Sequence, residues 1–297
     1  MYSMKILLLG SSGFIGKNFS EYIAPYGAYR LYTPGRSELD LLNGSEVEKY
    51  LEQLQPDVVV HAAVCRNPKY FPASSPLPEL EQDLRMFYNL ERCSHLFGKM
   101  LYFGSGAEYD KTRDIASVSE TDGGNGVPGN SYGLAKYVIG KEIEHSRNIY
   151  NLRVFGLFGK YENWRTTFIS GACCKAIKKL PITIRRDAYF DYLDINDFCP
   201  AVKWFIDHEP QHHTYNVCSG RRISLLQIAE AVRDLSGNNV PIYVCQSGYA
   251  NEYTAANERL RREFTQFSVR SMRESISELL QYYRSIEQEI DLISLLY

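Results

Sequence analysis

Apolar residues occur along the chain in short continuous runs, and these runs alternate with longer segments whose apolar residues recur three and four positions apart. Short runs predict buried strands, and the longer segments predict amphipathic helices. The predicted strands are MKILLLG, YRLYTPG, PDVVVHAA, KMLYFGSG and YNLRVFG, and the helices between them are FIGKNFSEYIAP, SEVEKYLEQLQ, LPELEQDLRMFYNLERCSHLFG and SYGLAKYVIGKEIEHSR. This alternation predicts an α/β fold with a doubly wound parallel sheet.

The pattern becomes less regular after about residue 160. Predicted helices RTTFISGACCKAIKKL and ISLLQIAEAVRDLSG lie among predicted strands PITIRR, TYNVCSG and PIYVCQ. We therefore predict one domain over residues 1–160 and a smaller α/β domain over residues 161–297, with part of 190–218 returning to the first sheet. A last amphipathic run places one apolar stripe on a helix, as expected for core packing or a dimer contact; its members are Ile276, Leu279, Leu280, Tyr283, Ile286, Ile290 and Ile293.

Composition excludes several classes of function. The formal net charge of -2 gives no general attraction to nucleic acid or to an anionic membrane. The first apolar run is too short for a membrane span or a signal peptide. The cysteines form no C-x-x-C pair, which favours a reducing compartment and argues against a metal site. We expect a cytoplasmic protein without a metal.

Three glycines stand between the first predicted strand and the first predicted helix, in the stretch GSSGFIG. Glycines at this place allow a tight turn and let the backbone and the helix N-terminus approach a pyrophosphate. The sequence therefore predicts a dinucleotide site. Its expected contacts in this stretch are Gly10, Ser12, Gly13, Phe14, Ile15 and Gly16.

The residue after the second strand indicates which dinucleotide is bound. An acidic residue there suits the ribose of NAD, and an arginine suits the 2′-phosphate of NADP. The stretch YTPGR ends in Arg36, and the nearest acid, Glu38, comes later. NADP is therefore the preferred prediction, with NAD as the alternative. The predicted cofactor contacts also include Asp40, Ala62 and Ala63.

A second motif, SYGLAK, places Tyr132 and Lys136 four residues apart, on one face of a predicted helix. An ammonium beside a phenol favours the phenolate, so the tyrosine can exchange a proton nearer neutral pH. The same lysine can reach the ribose of the cofactor. Ser105 stands between two glycines at the end of the fourth strand. These residues are the predicted catalytic set.

Together these motifs resemble the extended short-chain dehydrogenase/reductases, in particular the NAD-dependent epimerase/dehydratase family that acts on nucleotide sugars. The stretches YFDYLDINDF and YNVCSGRRISLLQIAEAV extend the resemblance along the chain. It implies a Rossmann domain, a smaller C-terminal domain that holds the nucleoside diphosphate, and a homodimer formed by helices near residues 84–97 and 132–147.

Two positions depart from the family pattern. Gly156 replaces an asparagine that helps to hold substrate, and Phe190 replaces an arginine. The family resemblance therefore requires other contacts to the diphosphate. The candidates are Lys160, Arg185 and Arg221, whose alternative role is that of surface charges.

The bases of two related reactions are missing. The 4,6-dehydratases of the family have Thr-Asp-Glu where this chain has Ser105-Gly106-Ala107. Glu108 comes one residue late, where alternation along an extended chain would turn it to another face. The chain also resembles the GDP-fucose synthases, in which a cysteine and a histidine epimerise C3 and C5. Ala107 takes the cysteine position, and residues 159–170 contain no histidine. Glu108 and Glu162 remain open as substitute bases if the loops fold inward.

These residues predict an NADPH-dependent reductase of the C4 keto group of a nucleotide-diphosphate-linked keto-deoxy sugar or heptose, with C3 and C5 retained. One alternative is a 4-epimerase of the UDP-galactose type that keeps its NAD through the cycle. A less favoured one is a dinucleotide sensor without catalytic activity. We expect the loops at 66–80 and 158–190 to select the nucleotide and the sugar.

Overall fold

The computed structural model describes residues 3–65, 78–123 and 125–296. Residues 66–77, which include most of the first loop expected to select the substrate, lie outside the described residues.

Strands and helices alternate from the start of the chain. The strands are β1 (Met4–Leu9), β2 (Tyr29–Tyr32), β3 (Val58–His61), β4 (Lys99–Ser105), β5 (Ile115–Val118), β6 (Ile149–Val154), β7 (Leu157–Phe158), β8 (Ile182–Asp187), β9 (Tyr189–Phe190), β10 (Leu193–Asp194), β11 (Thr214–Val217), β12 (Ile223–Ser224), β13 (Ile242–Tyr249) and β14 (Tyr253–Ala255). The helices are α1 (Phe14–Ile23), α2 (Gly44–Leu54), α3 (Glu79–Glu91), α4 (Ser131–Ile143), α5 (Phe168–Ile177), α6 (Ile195–Asp207), α7 (Leu225–Ser236), α8 (Glu258–Glu263), α9 (Met272–Ser285) and α10 (Leu292–Leu296).

A six-stranded parallel sheet in the order β11-β6-β4-β3-β1-β2 forms the centre of the fold. Its middle strands are continuously apolar because helices cover both faces. Ile6 and Leu8 face α1 and α6, whereas Leu7 and Leu9 face α2, α3 and α4. The predicted Rossmann-type α/β class is confirmed.

A second core lies among α5, α7 and α9. Beside it are the small sheets β12-β9-β14-β5, β13-β8 and β10-β7. The chain crosses between the two cores more than once, since β11 pairs with β6 and α6 packs against α1. The domain boundary near residue 160 stays a prediction.

The last amphipathic run is not one helix, contrary to the sequence prediction. Helix α9 ends at Ser285, and a 3-10 turn at Glu287–Glu289 separates it from α10. This turn brings Ile290 and Leu295 into the second core, while Ile293 is 67% exposed. Periodicity alone does not reveal such a turn because the apolar spacing continues across it.

Two kinds of feature are absent from the described residues. No helix there has the length and apolar character needed to cross a membrane. No cluster of three or more His, Cys, Asp or Glu side chains is arranged there to hold a metal ion.

Candidate active site

The glycine turn after β1 is shaped by close backbone packing. Gly10 has φ +82°, and a β-carbon there would lie 2.6 Å from the amide nitrogen of Ala63 and 2.7 Å from the carbonyl carbon of Ala62. Only glycine fits such a position without strain. The turn therefore brings Gly10, which follows β1, into contact with Ala62 and Ala63, which follow β3.

The N-terminus of α1 is open to an anion. Helix α1 begins at Phe14 with Gly13 as its N-cap, no side chain caps the amides, and its first turn has no acidic residue. Uncapped amides and the helix dipole favour a negatively charged group. A pyrophosphate fits this end of the helix, and the individual contacts from Ser12 to Gly16 stay predictions.

Arg36 lies beyond the end of β2, as the 2′-phosphate hypothesis requires. Its side chain is half exposed, and its Nε lies 3.8 Å from Oδ1 of Asp40. The carboxylate of Glu38 accepts a hydrogen bond from the amide of Gly35 at 2.8 Å. Arg36 therefore presents a partly neutralised but accessible charge, and Glu38 is engaged with the backbone.

The structure brings Ser105, Tyr132 and Lys136 together. Ser105 ends β4, and Tyr132 lies in the first turn of α4, which is capped by the Asn130 side chain accepting from the amide of Gly133 at 2.8 Å. Burial raises the pKa of Tyr132, and its hydrogen bond with Ser105 opposes that shift. The two hydroxyls are therefore adjacent, as the reaction requires.

Lys136 is 4% exposed and lies beneath the tyrosine. Its Nζ donates to Oη of Tyr102 and to the carbonyl oxygen of Phe103, both at 2.8 Å, and lies 5.8 Å from the ring centre of Tyr132. Burial lowers the pKa of Lys136 to about 8, although the charges of Asp83 and Glu108 act in the opposite direction. Among the described residues no hydrogen bond joins Lys136 to Tyr132. The charges of Asp83, Glu108 and Glu79 raise the pKa of Tyr132 further, contrary to the lowering expected from the ammonium.

Two further buried groups surround Lys136. Asp83 accepts a hydrogen bond from the amide of Cys65 at 2.7 Å through Oδ1, while Oδ2 has no hydrogen bond within the described part of the chain. His61 packs edge-on against Tyr102, with 5.4 Å between ring centres. Burial and, to a smaller extent, the charge of Lys136 lower the pKa of His61 to about 3. His61 is therefore neutral at physiological pH.

Glu108 does not face the substrate side, but for a different reason from the one predicted. The chain after Ser105 is a 3-10 turn, Gly106–Glu108, and not an extended strand. The Ser105 amide donates to the Glu108 carboxylate at 3.2 Å, and the amide of Ala107 donates to Oγ of Ser105 at 3.1 Å. Glu108 also pairs with Arg153 at 2.5 Å. It is therefore committed to the interior and is not a substitute base.

Glu162 belongs to the second core. Its carboxylate accepts from the hydroxyl of Ser170 in α5, and its carbonyl oxygen accepts from Oη of Tyr283 in α9 at 3.4 Å. Burial raises the pKa of Glu162 to about 7. Its neighbours are thus α5 and α9 rather than the hydroxyls at Ser105.

Sequence reasoning did not identify Tyr253 as a third hydroxyl at this site. Its Oη lies beside Ser105 and occupies the side of Gly106 where a β-carbon would stand. Its ring packs against Phe155 and Phe190, at 5.0 and 5.8 Å between centres. Burial raises the pKa of Tyr253, so the hydroxyl stays protonated. No local motif marks β14, because the contact is made only when β14 pairs with β5 and β9.

The predicted diphosphate contacts lie in separate surroundings. Lys160 pairs with Glu21 of α1, and Arg185 is exposed on β8. Arg221 donates from Nη1 to the carbonyl oxygen of Arg270 at 3.0 Å. It also lines a cavity of about 300 Å³ together with Phe158, Tyr192 and Arg270. The three basic residues do not share this cavity, and their roles stay predictions.

Known proteins resemble this chain in sequence and in fold. Residues 6–218 match the family described as NAD dependent epimerase/dehydratase. A curated relative, the GDP-6-deoxy-D-talose 4-dehydrogenase of Aggregatibacter actinomycetemcomitans, is 26% identical over 80% of this chain and 82% of its own. A GDP-L-fucose synthetase structure from Naegleria fowleri has a TM-score of 0.81 at 17% identity, covering 97% of this chain and 95% of its own. The GDP-mannoheptose C4 reductase of Campylobacter jejuni, solved with NADP bound, has a TM-score of 0.74 at 18% identity, covering 95% and 98%.

At these identities the structural likenesses show the fold, and the family match supplies the classification. It confirms the predicted enzyme class, a nucleotide-sugar oxidoreductase or epimerase that uses a nicotinamide dinucleotide. The chain belongs to the NAD dependent epimerase/dehydratase family.

Proposed function

We propose that the protein is an NADPH-dependent reductase of the C4 keto group of a nucleotide-diphosphate-linked keto-deoxy sugar or heptose, and that it leaves C3 and C5 unchanged. The observation that carries this proposal is the content of the site. Tyr132 and Ser105 are adjacent above Lys136, while Ala107 has no acid–base group and Glu108 is paired with Arg153. Among the described residues, this set suits hydride and proton transfer at a carbonyl. It lacks the base and the opposing acid that epimerisation needs.

Each residue has a separate part in the reduction. NADPH, when bound, supplies the hydride for C4. Ser105 donates a hydrogen bond to the carbonyl oxygen, and Tyr132 gives its proton to that oxygen as the carbon–oxygen double bond becomes single. The ammonium of Lys136 stabilises the phenolate that remains on Tyr132. The carbonyl is thereby reduced to a hydroxyl, with one hydride and one proton added.

The cofactor proposal rests on two features of the chain. The uncapped N-terminus of α1 suits the pyrophosphate, and Arg36 suits a 2′-phosphate. The NADP in the C4 reductase structure supports the same preference, with NAD as the alternative. We further propose a cytoplasmic homodimer formed through α3 and α4, whose outer faces carry the exposed contact between Tyr88 and Glu142.

The test is turnover on a panel of GDP-, UDP-, CDP- and dTDP-linked 4-keto sugars with NADPH, followed by loss of reduced-cofactor absorbance. We expect oxidation with one or more of these substrates, and its loss in Tyr132→Phe while NADPH still binds. An unchanged rate in Tyr132→Phe contradicts the assignment of the proton donor. The 4-epimerase is established instead if three results are found together: no substrate of the panel is reduced, NAD stays tightly bound, and the protein interconverts sugars without added cofactor.

A further inference from the structure

Lys111 follows the serine turn closely in the chain and has an unusual partner. Its Nζ lies 4.2 Å from the ring centre of Tyr253. In the described part of the chain it has no carboxylate partner and its Nζ makes no hydrogen bond. The residue is exposed as a whole, yet the surrounding atoms desolvate the ammonium and lower the pKa of Lys111. The structure thus holds a cation over a neutral ring, where it keeps its attraction for an anion.

Three other cations near the site are already neutralised. Arg153 pairs with Glu108, Lys160 pairs with Glu21, and Arg222 pairs with Glu252 at 2.8 Å. A guanidinium or ammonium held by a carboxylate has less free energy to gain from a second anion. Lys111 is therefore better suited to an incoming anion than these neighbours.

The position of Lys111 is fixed relative to the catalytic hydroxyls. The carbonyl oxygen of Lys111 accepts a hydrogen bond from Nδ2 of Asn251, just before β14, at 3.2 Å. The ring of Tyr253 lies under the ammonium, and the hydroxyl of the same ring reaches Ser105. One tyrosine side chain thus connects the cation to the serine. The pyranose ring of a nucleotide hexose is similar in size to the tyrosine ring. Its C4 and its C1, which carries the diphosphate, lie at opposite ends of that ring.

We propose that Lys111, held over the ring of Tyr253, binds the diphosphate of the substrate while its C4 carbonyl lies at Ser105. This assignment rests on the proposed function for the identity of the anion. It supplies a charged contact in a chain that has Phe190 where the family has an arginine. The hydroxyl of Tyr253 has a separate role, because it positions Ser105 rather than the diphosphate.

The experiment measures the affinity of GDP, UDP, CDP, dTDP and the corresponding monophosphates for the NADP-bound protein by titration calorimetry. We expect Lys111→Gln to weaken binding of the preferred diphosphate at least tenfold, or about 1.4 kcal/mol, and to reduce its advantage over the monophosphate. Lys111→Arg should restore most of the affinity. Lys49→Gln, at an exposed lysine of α2, should match the wild type, and NADPH affinity should be unchanged in every variant.

Tyr253→Phe distinguishes the role of the ring from that of the hydroxyl. It keeps the ring beneath the ammonium, so diphosphate affinity should stay within about twofold, whereas kcat should fall about tenfold because the hydroxyl that lies beside Ser105 is removed. A purely structural defect would lower both together.

The outcomes are distinguishable. If the wild type binds a nucleoside diphosphate and Lys111→Gln binds it equally well, this inference is overturned and the proposed function stands. A tenfold loss in Lys160→Gln with none in Lys111→Gln assigns the contact to Lys160. Failure of the wild type to bind any of the four diphosphates overturns the proposed function together with the inference.

Discussion

Glu108 and Arg153 form an ion pair beneath the active-site serine, with 2.5 Å between Oε2 and Nε and both side chains 3% exposed. Asn151 donates to both oxygens of the same carboxylate, at 3.1 and 3.0 Å, and the amide of Ser105 donates to it at 3.2 Å. The position of the serine is thereby tied to a buried pair of charges.

Glu108→Gln should therefore be costly. It leaves the guanidinium of Arg153 buried without its counter-charge, and removing one member of such a pair costs about 3–5 kcal/mol. Urea unfolding should show this loss, and Glu108→Gln/Arg153→Met should recover part of it. Glu144→Gln, which breaks the exposed pair with Lys141, should change stability by less than about 0.5 kcal/mol. A similarly small effect of Glu108→Gln contradicts the role of the pair.

Gly106→Ala should be coupled to Tyr253. A β-carbon at Gly106 would meet the hydroxyl of Tyr253 and the ring of Phe155, and overpacking of this kind costs about 1–3 kcal/mol. Tyr253→Phe removes the hydroxyl, so the cost of Gly106→Ala should be smaller by about 1 kcal/mol in that background. A double-mutant cycle measured by denaturant unfolding tests the coupling. Strict additivity would show that the hydroxyl is not the obstacle.

His61 should make stability fall at acid pH. Its folded pKa of about 3 lies below the ordinary value of 6.5, so the unfolded chain takes up a proton first as the pH falls. The stability it contributes is complete above pH 6.5 and declines towards pH 3. Between pH 7 and 5 the wild type should lose about 2 kcal/mol more than His61→Phe. His145→Gln, at an exposed histidine, should follow the wild-type curve; parallel curves for all three proteins would contradict this account.

Arg36→Ala should change the choice of cofactor. The wild type should bind NADPH at least tenfold more tightly than NADH, and the variant should lose about 1.4 kcal/mol for NADPH alone. Arg30→Ala, at an exposed arginine of β2, should leave both affinities unchanged. Equal affinity of the wild type for the two cofactors, measured by fluorescence titration, would refute the role given to Arg36.

The absence of a base at Ala107 predicts the stereochemical course. Removing a proton from C3 or C5 needs a positioned base and an acid on the opposite face. In deuterium oxide with ordinary NADPH, the product should carry no carbon-bound deuterium beyond that exchanged by the substrate alone. Mass spectrometry and NMR detect the label, and enzyme-dependent deuterium at C3 or C5 would reveal a base outside this description.

The parts that could be predicted from the sequence are those set by local chemistry. The apolar runs of β1 and β3 predict buried central strands, and the glycines after β1 predict the turn. The spacing of Tyr132 and Lys136 predicts a shared helix face. Each of these signals lies within one strand, turn or helix, so folding of the remainder does not change it.

The parts that could not be predicted depend on pairings between distant segments. Tyr253 reaches Ser105 only through the pairing of β14 with β5 and β9. Glu108 meets Arg153 because β4 and β6 are neighbours and the chain after Ser105 turns as a 3-10 helix. Alternation along an extended strand correctly predicts that Glu108 faces away from the substrate. The actual cause, however, is the 3-10 turn.

The route of the chain affects the order in which the protein can fold during synthesis. The strand that borders β6 is β11, and the face of the sheet beside α1 is completed by α6, Leu260 and Phe267. All of these are made well after residue 160. A nascent chain or fragment ending near residue 160 would have β6 as an open edge and a bare apolar face, both of which favour aggregation. The first sheet to emerge is thus completed by segments that emerge much later.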